Sequence, residues 1–335
     1  MKKRYWFILL LLAGIVIGYF SGPVPQQPNY SEELPELTSN LKELELFIKQ
    51  HEDSLPVRDD NEARIIWANG RAEVTEYSLV YLHGFAGSYR DGFPVNFDIA
   101  DTLNANLFLA RWAGHGLKPP ASLNDFSGEN AWESAKQALV IGEKLGKKVI
   151  IMSTSTGGTL AIKLAATFPD RVHALINLSP NLEDDVPATF VLNSPWGYEI
   201  ARMISFGDSK KIEHDSEIAT QYWDTIYPSR ALVDLQVLVE TSMKPKTFEN
   251  VNCPVLTLYY HKNFLEEDQH VEVSVYSNAH KLFKTPDSLV QLSPLKRPKT
   301  HFIGSDIKSS DTEIVEKEIV SFLTEKMNIE LGSVN

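Results

Sequence analysis

The sequence predicts an α/β protein with a mostly parallel central sheet and helices on both faces. Three observations point there. From Tyr77 onward, short apolar runs with strand character alternate with longer helical patterns, as in parallel strands joined by crossover helices. Several runs end in polar residues suited to chemistry, at His83, Ser155 and Ser179, and ligands on such sheets bind at the carboxyl ends of the strands. One run, Val149 to Met152, passes through Ser153-Thr154-Ser155-Thr156-Gly157-Gly158 into an apolar helix from near Thr159. A strand here turns abruptly into a helix around a serine.

The elements follow in order. Leu41, Leu44, Leu46 and Phe47 mark a helix over Asn40 to Gln50, and Ala63 to Ala68 reads as an antiparallel edge strand before an Asn69-Gly70 turn. Strand Tyr77 to Leu82, helix Asn96 to Leu103, strand Ala105 to Ala110 and helix Ala131 to Leu145 lead to the serine turn. After it come helix Thr159 to Phe168 and strand Ala174 to Leu178. Residues 181–230 break the alternation: aromatic residues such as Trp196, Tyr198, Trp223 and Tyr227 lie among charges without a strand signature. We read this stretch as an inserted, mostly helical cap, whose aromatic residues suit either an apolar acyl or aryl ligand or simple packing on the core. Helix Ala231 to Thr241, strand Pro254 to Tyr260, helix Ser274 to Phe283, a weak strand at Ser288 to Leu292 and helix Asp311 to Met327 complete the chain. Ser310 and Glu313 fit a capping box for the last helix, with Val315, Ile319, Phe322 and Leu323 as its buried stripe.

Composition excludes several functions. The chain has 335 residues, 43% hydrophobic and 23% charged, and a formal charge of −12. That acidity repels phosphate backbones, so nucleic acid is not an expected partner. A single cysteine, Cys253, rules out an internal disulfide and a Cys-x-x-Cys metal site.

A basic head (Lys2, Lys3, Arg4) precedes an uncharged apolar run from Tyr5 to Phe20, bracketed by Tyr5, Trp6, Tyr19 and Phe20. As helix it would reach about 24 Å, slightly short of a bilayer core. The expectation is a signal anchor over 1–22 that contacts the membrane through residues 5–20, with a cleaved secretory signal as the alternative. Either places the body outside the cytoplasm, in a periplasmic or extracellular space. A proline-rich tether and packing helix would fill 23–60, and the α/β domain 61–330.

A serine at the tip of such a turn sits in a strained backbone, and the residues two before and two after must be small. Here they are Ser153 and Gly157. Ser155 is thus a candidate nucleophile in a G-x-S-x-G pattern whose first glycine is a serine. It needs a base and an orienting acid, in the chain order serine, acid, histidine. The loop after Tyr260 offers Glu266, Glu267, Asp268 and Glu272. His301, after the last strand, sits where the base is required, whereas His280 falls in a helical pattern and reads as a solvated surface residue. His83-Gly84 ends a buried strand, allowing a tight turn and an N–H pointed at the strand ends.

YLHGF at Tyr81–Phe85, RWAGHG at Arg111–Gly116, STSTGG at Ser153–Gly158 and the late His301 together resemble the α/β-hydrolase fold, and within it the carboxylesterase and monoacylglycerol-lipase-like group. The resemblance covers roughly Ala63 to Leu323. It implies that Asp268, before Gln-His-Val-Glu-Val, is the triad acid, with Glu266 and Glu267 in reserve. It further implies an oxyanion hole from the backbone N–H groups of Phe85 and Thr156, with His83 and Gly84 as its scaffold and Arg111 and His115 holding the neighbouring loop. The implied reaction is carboxylic-ester hydrolysis through an acyl-enzyme, on a small-molecule ester with an apolar acyl or aryl group and without metal or organic cofactor. An acyltransferase or thioesterase would use the same triad. A non-catalytic hydrolase-like binding protein is the reading from another class, suggested by Ser153 and the long, charged acid loop.

Overall fold

The computed structural model describes residues 2–184 and 189–331, with side chains from Tyr5 onward. In chain order its elements are α1 (Lys2–Phe20), α2 (Leu41–Asp53), β1 (Arg64–Ile66), β2 (Thr75–Leu82), α3 (Val95–Thr102), β3 (Asn106–Leu109), α4 (Gly128–Leu145), β4 (Gly146–Thr154), α5 (Thr156–Thr167) and β5 (Ala174–Leu178). The insertion holds α6 (Gly197–Ile204), β6 (Ser209–Lys211), α7 (Glu217–Tyr222) and β7 (Ile226–Pro228). Then come α8 (Arg230–Ser242), α9 (Pro245–Phe248), β8 (Val255–Asn263), β9 (Glu266–Glu267), α10 (Tyr276–His280), β10 (Val290–Leu295) and α11 (Glu313–Ser321).

The central sheet runs β1-β3-β2-β4-β5-β8-β10, with β9 paired to β8. β1 is antiparallel to β3, and the path from β3 to β10 is parallel throughout. The central strands are buried on both faces, which is why Leu79–Leu82, Val149–Met152 and Ala174–Ile176 read as continuous apolar runs. One core cluster packs α4 and α5 on one face through Trp132, Leu139 and Leu160; the other packs α3 and α11 through Ile99, Val315 and Ile319. The strand order brings the C-terminal ends of β2, β4, β5, β8 and β10 to a single edge.

Several local expectations shift. The cap contains a two-stranded antiparallel ribbon, β6–β7, as well as helices. Strands of three residues are too short to show an alternating pattern. The helix expected over Ser274 to Phe283 shortens to α10 after a 3₁₀ turn. The Ser310–Glu313 capping box does not form: Asp311 Oδ1 accepts the N–H of Ile314 at 3.1 Å and caps α11 instead. Its stripe is buried as the spacing requires, with Val315, Ile319, Phe322 and Leu323 in the core. The proline-rich stretch lies against the body rather than hanging from it. Trp132 Nε1 donates to Ser31 O at 2.7 Å, Lys136 Nζ to Glu33 O at 2.6 Å, and Tyr30 Oη pairs with Thr241 Oγ1 at 2.7 Å.

α1 is apolar from Tyr5 to Phe20 and exposed along that whole length. Among the described residues, no helix is long and apolar enough to cross a membrane, so a spanning anchor is not supported.

His280 is not a solvated surface residue. It packs on Phe283 with ring centroids 4.9 Å apart, its Nε2 pairs with Thr257 Oγ1 at 3.0 Å, and burial pushes its pKa down to about 4. The unfolded imidazole titrates near 6.5. Between those values the unfolded chain binds the extra proton, so this group's contribution is complete above pH 6.5 and is lost as pH falls towards 4. His280→Gln should lose less stability than the wild type between pH 7 and pH 5, by up to about 2 kcal/mol, measured by urea unfolding at both pH values.

Candidate active site

The serine turn is set by steric contact between β2 and the start of α5. Ser155 has φ 55° and ψ −123°, a backbone conformation that side chains rarely adopt, and α5 begins at the next residue. A Cβ on Gly157 would fall 2.0 Å from Leu82 O and 2.6 Å from His83 O, so only glycine fits there. No such restriction holds on the other side: the Ser153 hydroxyl is buried and donates to Asn177 Oδ1 at 2.9 Å. The serine in place of the first glycine therefore has its own partner on the neighbouring strand. Ser155 N–H donates to Leu178 O at 3.0 Å, and its carbonyl accepts from Asn181 N at 2.8 Å and Gly158 N at 2.8 Å. These bonds brace the apex against the end of β5.

The acid loop resolves differently from expectation. β8 runs on to Asn263 and turns back through β9, so Glu266 and Glu267 belong to a short hairpin. Glu266 pairs with Lys262, and Glu267 accepts from His261 Nδ1 at 2.8 Å. That leaves Asp268, buried at the foot of the hairpin, where its N–H is tied to Tyr260 O at 3.1 Å. His301 Nδ1 donates to Asp268 Oδ2 at 2.7 Å, and Asp268 Oδ1 accepts from His270 N at 2.9 Å. Burial works against a charge on Asp268, but His301 and these hydrogen bonds outweigh it and hold the carboxyl below its usual range. The Asp268–Nδ1 bond leaves His301 Nε2 as the free ring nitrogen.

The turn after β2 lies against Ser155: a Cβ on Gly84 would meet Ser155 Cβ at 3.1 Å. Thr156, as the first residue of α5, has an N–H with no carbonyl inside its own helix to receive it. His83 is a buried scaffold. Its Nδ1 donates to Gly84 O at 2.8 Å, its ring stacks on Trp112 at 4.9 Å, and burial pushes its pKa down to about 3, so it stays neutral. Arg111 and His115 hold the adjoining loop: Arg111 Nη1 donates to His115 O at 3.0 Å and its other nitrogens clasp the buried Glu52 at 2.5 and 2.8 Å.

Two contributors escaped the sequence reading. Asp91 is buried, and its Oδ2 accepts the Gly84 N–H at 2.6 Å while its Oδ1 accepts from Tyr81 Oη. Tyr81 Oη also pairs at 2.7 Å with Thr154 Oγ1, the residue before Ser155. Burial raises Asp91 to about 7. From the cap, Asp224 N–H donates to Ala86 O at 2.7 Å, and its carboxylate meets Arg58 Nη1 at 2.8 Å. Neither acid has a motif around it: Asp91 closes the turn that follows β2, and Asp224 acts across a contact between segments far apart in the chain.

Of the cap aromatics, Trp223 and Tyr227 are buried near the strand ends, against Phe302 at 5.3 Å and Phe85 at 5.4 Å respectively. Trp196 lies elsewhere, against the end of α1. Tyr198 is half-buried beside Asp234.

A family model described as "alpha/beta hydrolase fold" matches residues 77–204. The protein bem46 of Schizosaccharomyces pombe is 27% identical over 164 residues, 48% of each chain. A putative esterase/lipase 2 of Mycoplasma pneumoniae is 25% identical over 104 residues, 31% of this chain and 38% of that one. The chain thus spans less than half the length of these curated relatives. Among solved structures, one described under the metagenome-derived lipolytic enzymes LipS and LipT superposes with a TM-score of 0.63 at 17% identity, covering 80% of this chain and 99% of the other. The monoacylglycerol lipase of Paleococcus ferrophilus gives a TM-score of 0.58 at 17% identity, covering 79% and 99%. The fold is that of the α/β hydrolases.

The contact geometry around the apex separates its two small positions. Gly157→Ala should fail to fold or lose the apex altogether, because its methyl group would overlap two backbone carbonyls. Ser153→Gly should fold, losing about 1 kcal/mol with the buried hydrogen bond to Asn177. Expression yield and urea unfolding of the two variants test the contrast.

Proposed function

We propose that this α/β-hydrolase-fold chain is a serine hydrolase of carboxylic esters. The observation that carries the reading is the buried Asp268–His301 pair, at the same sheet edge as a serine held at positive φ between strand and helix. The assignment gives Ser155 Oγ the role of nucleophile. His301 Nε2 takes its proton as Oγ attacks the ester carbonyl, and Asp268 fixes the imidazole tautomer and stabilises its cationic form. The tetrahedral oxyanion is received by the N–H groups of Phe85 and Thr156. Collapse expels the alcohol, protonated by His301, and leaves an acyl group on Ser155. A water activated by the same His301 then releases the carboxylic acid.

Asp91 supports this reading by fixing the turn that carries Phe85, since a donor displaced from the oxyanion would cost about 3 kcal/mol of transition-state stabilisation. The aromatic rings of Phe85, Phe126, Tyr227 and Trp223 near the strand ends suit an ester with an apolar acyl or aryl group. The M. pneumoniae relative described as a putative esterase/lipase points the same way. A non-catalytic binding role loses its motive, because Ser153 has a structural partner and the charged acid loop is a hairpin that presents Asp268.

Ser155→Ala should lower kcat by about 10⁴-fold or more while leaving the unfolding midpoint unchanged. A fluorophosphonate probe should label wild-type protein at Ser155 and leave the variant unlabelled. Folded wild-type protein that resists the probe would sink the proposal. Turnover of nitrophenyl esters of graded acyl length then reads the apolar site.

A further inference from the structure

The outer face of the cap exposes a cluster of large apolar side chains at the end of α6. α6 buries Ala201 against Leu192, Val233 and Val237. Its far side carries apolar residues beside one exposed ion pair, Arg202–Asp208: Met203 is 76% exposed, Ile204 52%, and Phe206, just beyond the helix, 98%. Phe206 is in the left-handed region at φ 56°, in a helix-ending turn closed by Gly207 N–H to Arg202 O at 2.9 Å. Glycine or asparagine suits that position, and a large side chain there is strained. Among the described residues nothing compensates, because the ring is almost fully exposed.

This face adjoins a second apolar surface. Trp196, at the start of α6, donates through Nε1 to Gly18 O at 3.1 Å and Tyr19 O at 3.0 Å, and through its backbone N–H to Pro23 O at 2.9 Å. The cap is thereby fixed to the end of α1, whose residues from Tyr5 to Phe20 are uncharged and exposed on every side. A helix with no polar face leaves more apolar surface than one partner groove covers. The aromatic residues at its two ends, Tyr5, Trp6, Tyr19 and Phe20, are of the type that sits at a lipid–water boundary.

We propose that α1 and the cap face formed by Met203, Ile204 and Phe206 dock together onto a lipid surface, with Trp196 joining the two parts. Docking is driven by apolar burial rather than by charge, consistent with a net charge of −12, so neutral lipid is sufficient. The inference goes beyond the ester-hydrolase reading and does not rest on it, since lipid contact is read without any substrate.

Cys253 is buried, which leaves a single accessible thiol in a full-length Met203→Cys variant. Labelled there with an environment-sensitive fluorophore and mixed with phosphatidylcholine vesicles, the protein should show a blue shift and lose emission to a spin-labelled lipid. The same label on Val74→Cys, before β2 at the opposite end of the sheet, should show neither change. Two further outcomes would overturn the proposal. One is a chain that floats with vesicles while the label at 203 stays unquenched, which leaves α1 as the sole contact. The other is a chain that ignores vesicles, including one whose label shifts with protein concentration alone, which assigns the face to a second copy. Should labelling at 203 disturb the fold, Phe206→Gly decides instead. It relieves the strained φ, so it should keep or raise the unfolding midpoint while weakening flotation several-fold, and unchanged flotation would count against the proposal.

Discussion

The closeness of β2 to the first turn of α5 is the constraint from which the rest of the site follows. Two carbonyls, of Leu82 at the end of β2 and of His83 just after it, occupy the space a side chain at 157 would need, so strand β4 must leave the sheet sharply and residue 155 must take a positive φ. That conformation is costly for a serine, on the order of 1–3 kcal/mol. It persists because Leu178, Gly158 and Asn181 hold its backbone from both neighbouring elements. The same crowding sets Gly84 against the serine side chain, so one packing contact fixes both the apex and the turn beside it.

Polar groups buried around that contact knit together segments that would otherwise meet only through apolar packing. Thr154, Tyr81, Asp91 and the Gly84 N–H form an unbroken line from the end of β4 to the turn after β2. On the outer side, Asp224 bonds Ala86 and ties the cap to the same turn, while Arg58 ties the residues before β1 to Asp224. A buried polar group left unpaired costs about 1–3 kcal/mol, so such a line penalises displacement of any single member. The turn is therefore held from beneath by the sheet and from above by the cap.

What could be read from the residues depended on how far apart the cooperating groups lie. Ser155 was legible because its requirement is local: a strand, a small-residue turn and an apolar helix are adjacent in the chain. His301 was legible through order along a parallel sheet, which converts position in sequence into position along one edge; the same order reached only the loop that holds Asp268, and the resemblance singled that residue out. Asp91 was not legible, because its partners Tyr81 and Gly84 are recognised by the fold of the turn between them and not by a spacing. The role of His280 was misread for a similar reason. Its place near a helix says nothing of Thr257 on β8, which reaches it across the packing between layers. Strand boundaries slipped most where a hairpin was short: β9 has two residues, too few to show any period.

The charged acid loop illustrates how an apparent irregularity becomes a support. Its exposed tip carries Lys262 and Glu266, and its inner half carries His261 and Glu267, each pair bonded across the hairpin. An exposed ion pair such as Lys262–Glu266 contributes little stability, about 0–1 kcal/mol. The value of the two pairs here is geometric. By closing β8 onto β9 they fix where the chain re-enters the sheet edge, and Asp268 is the first residue after that return, with its N–H on Tyr260 O. The carboxylate then needs only one further contact, the N–H of His270, to point at His301. Length and charge in the loop thus serve to place a single buried oxygen.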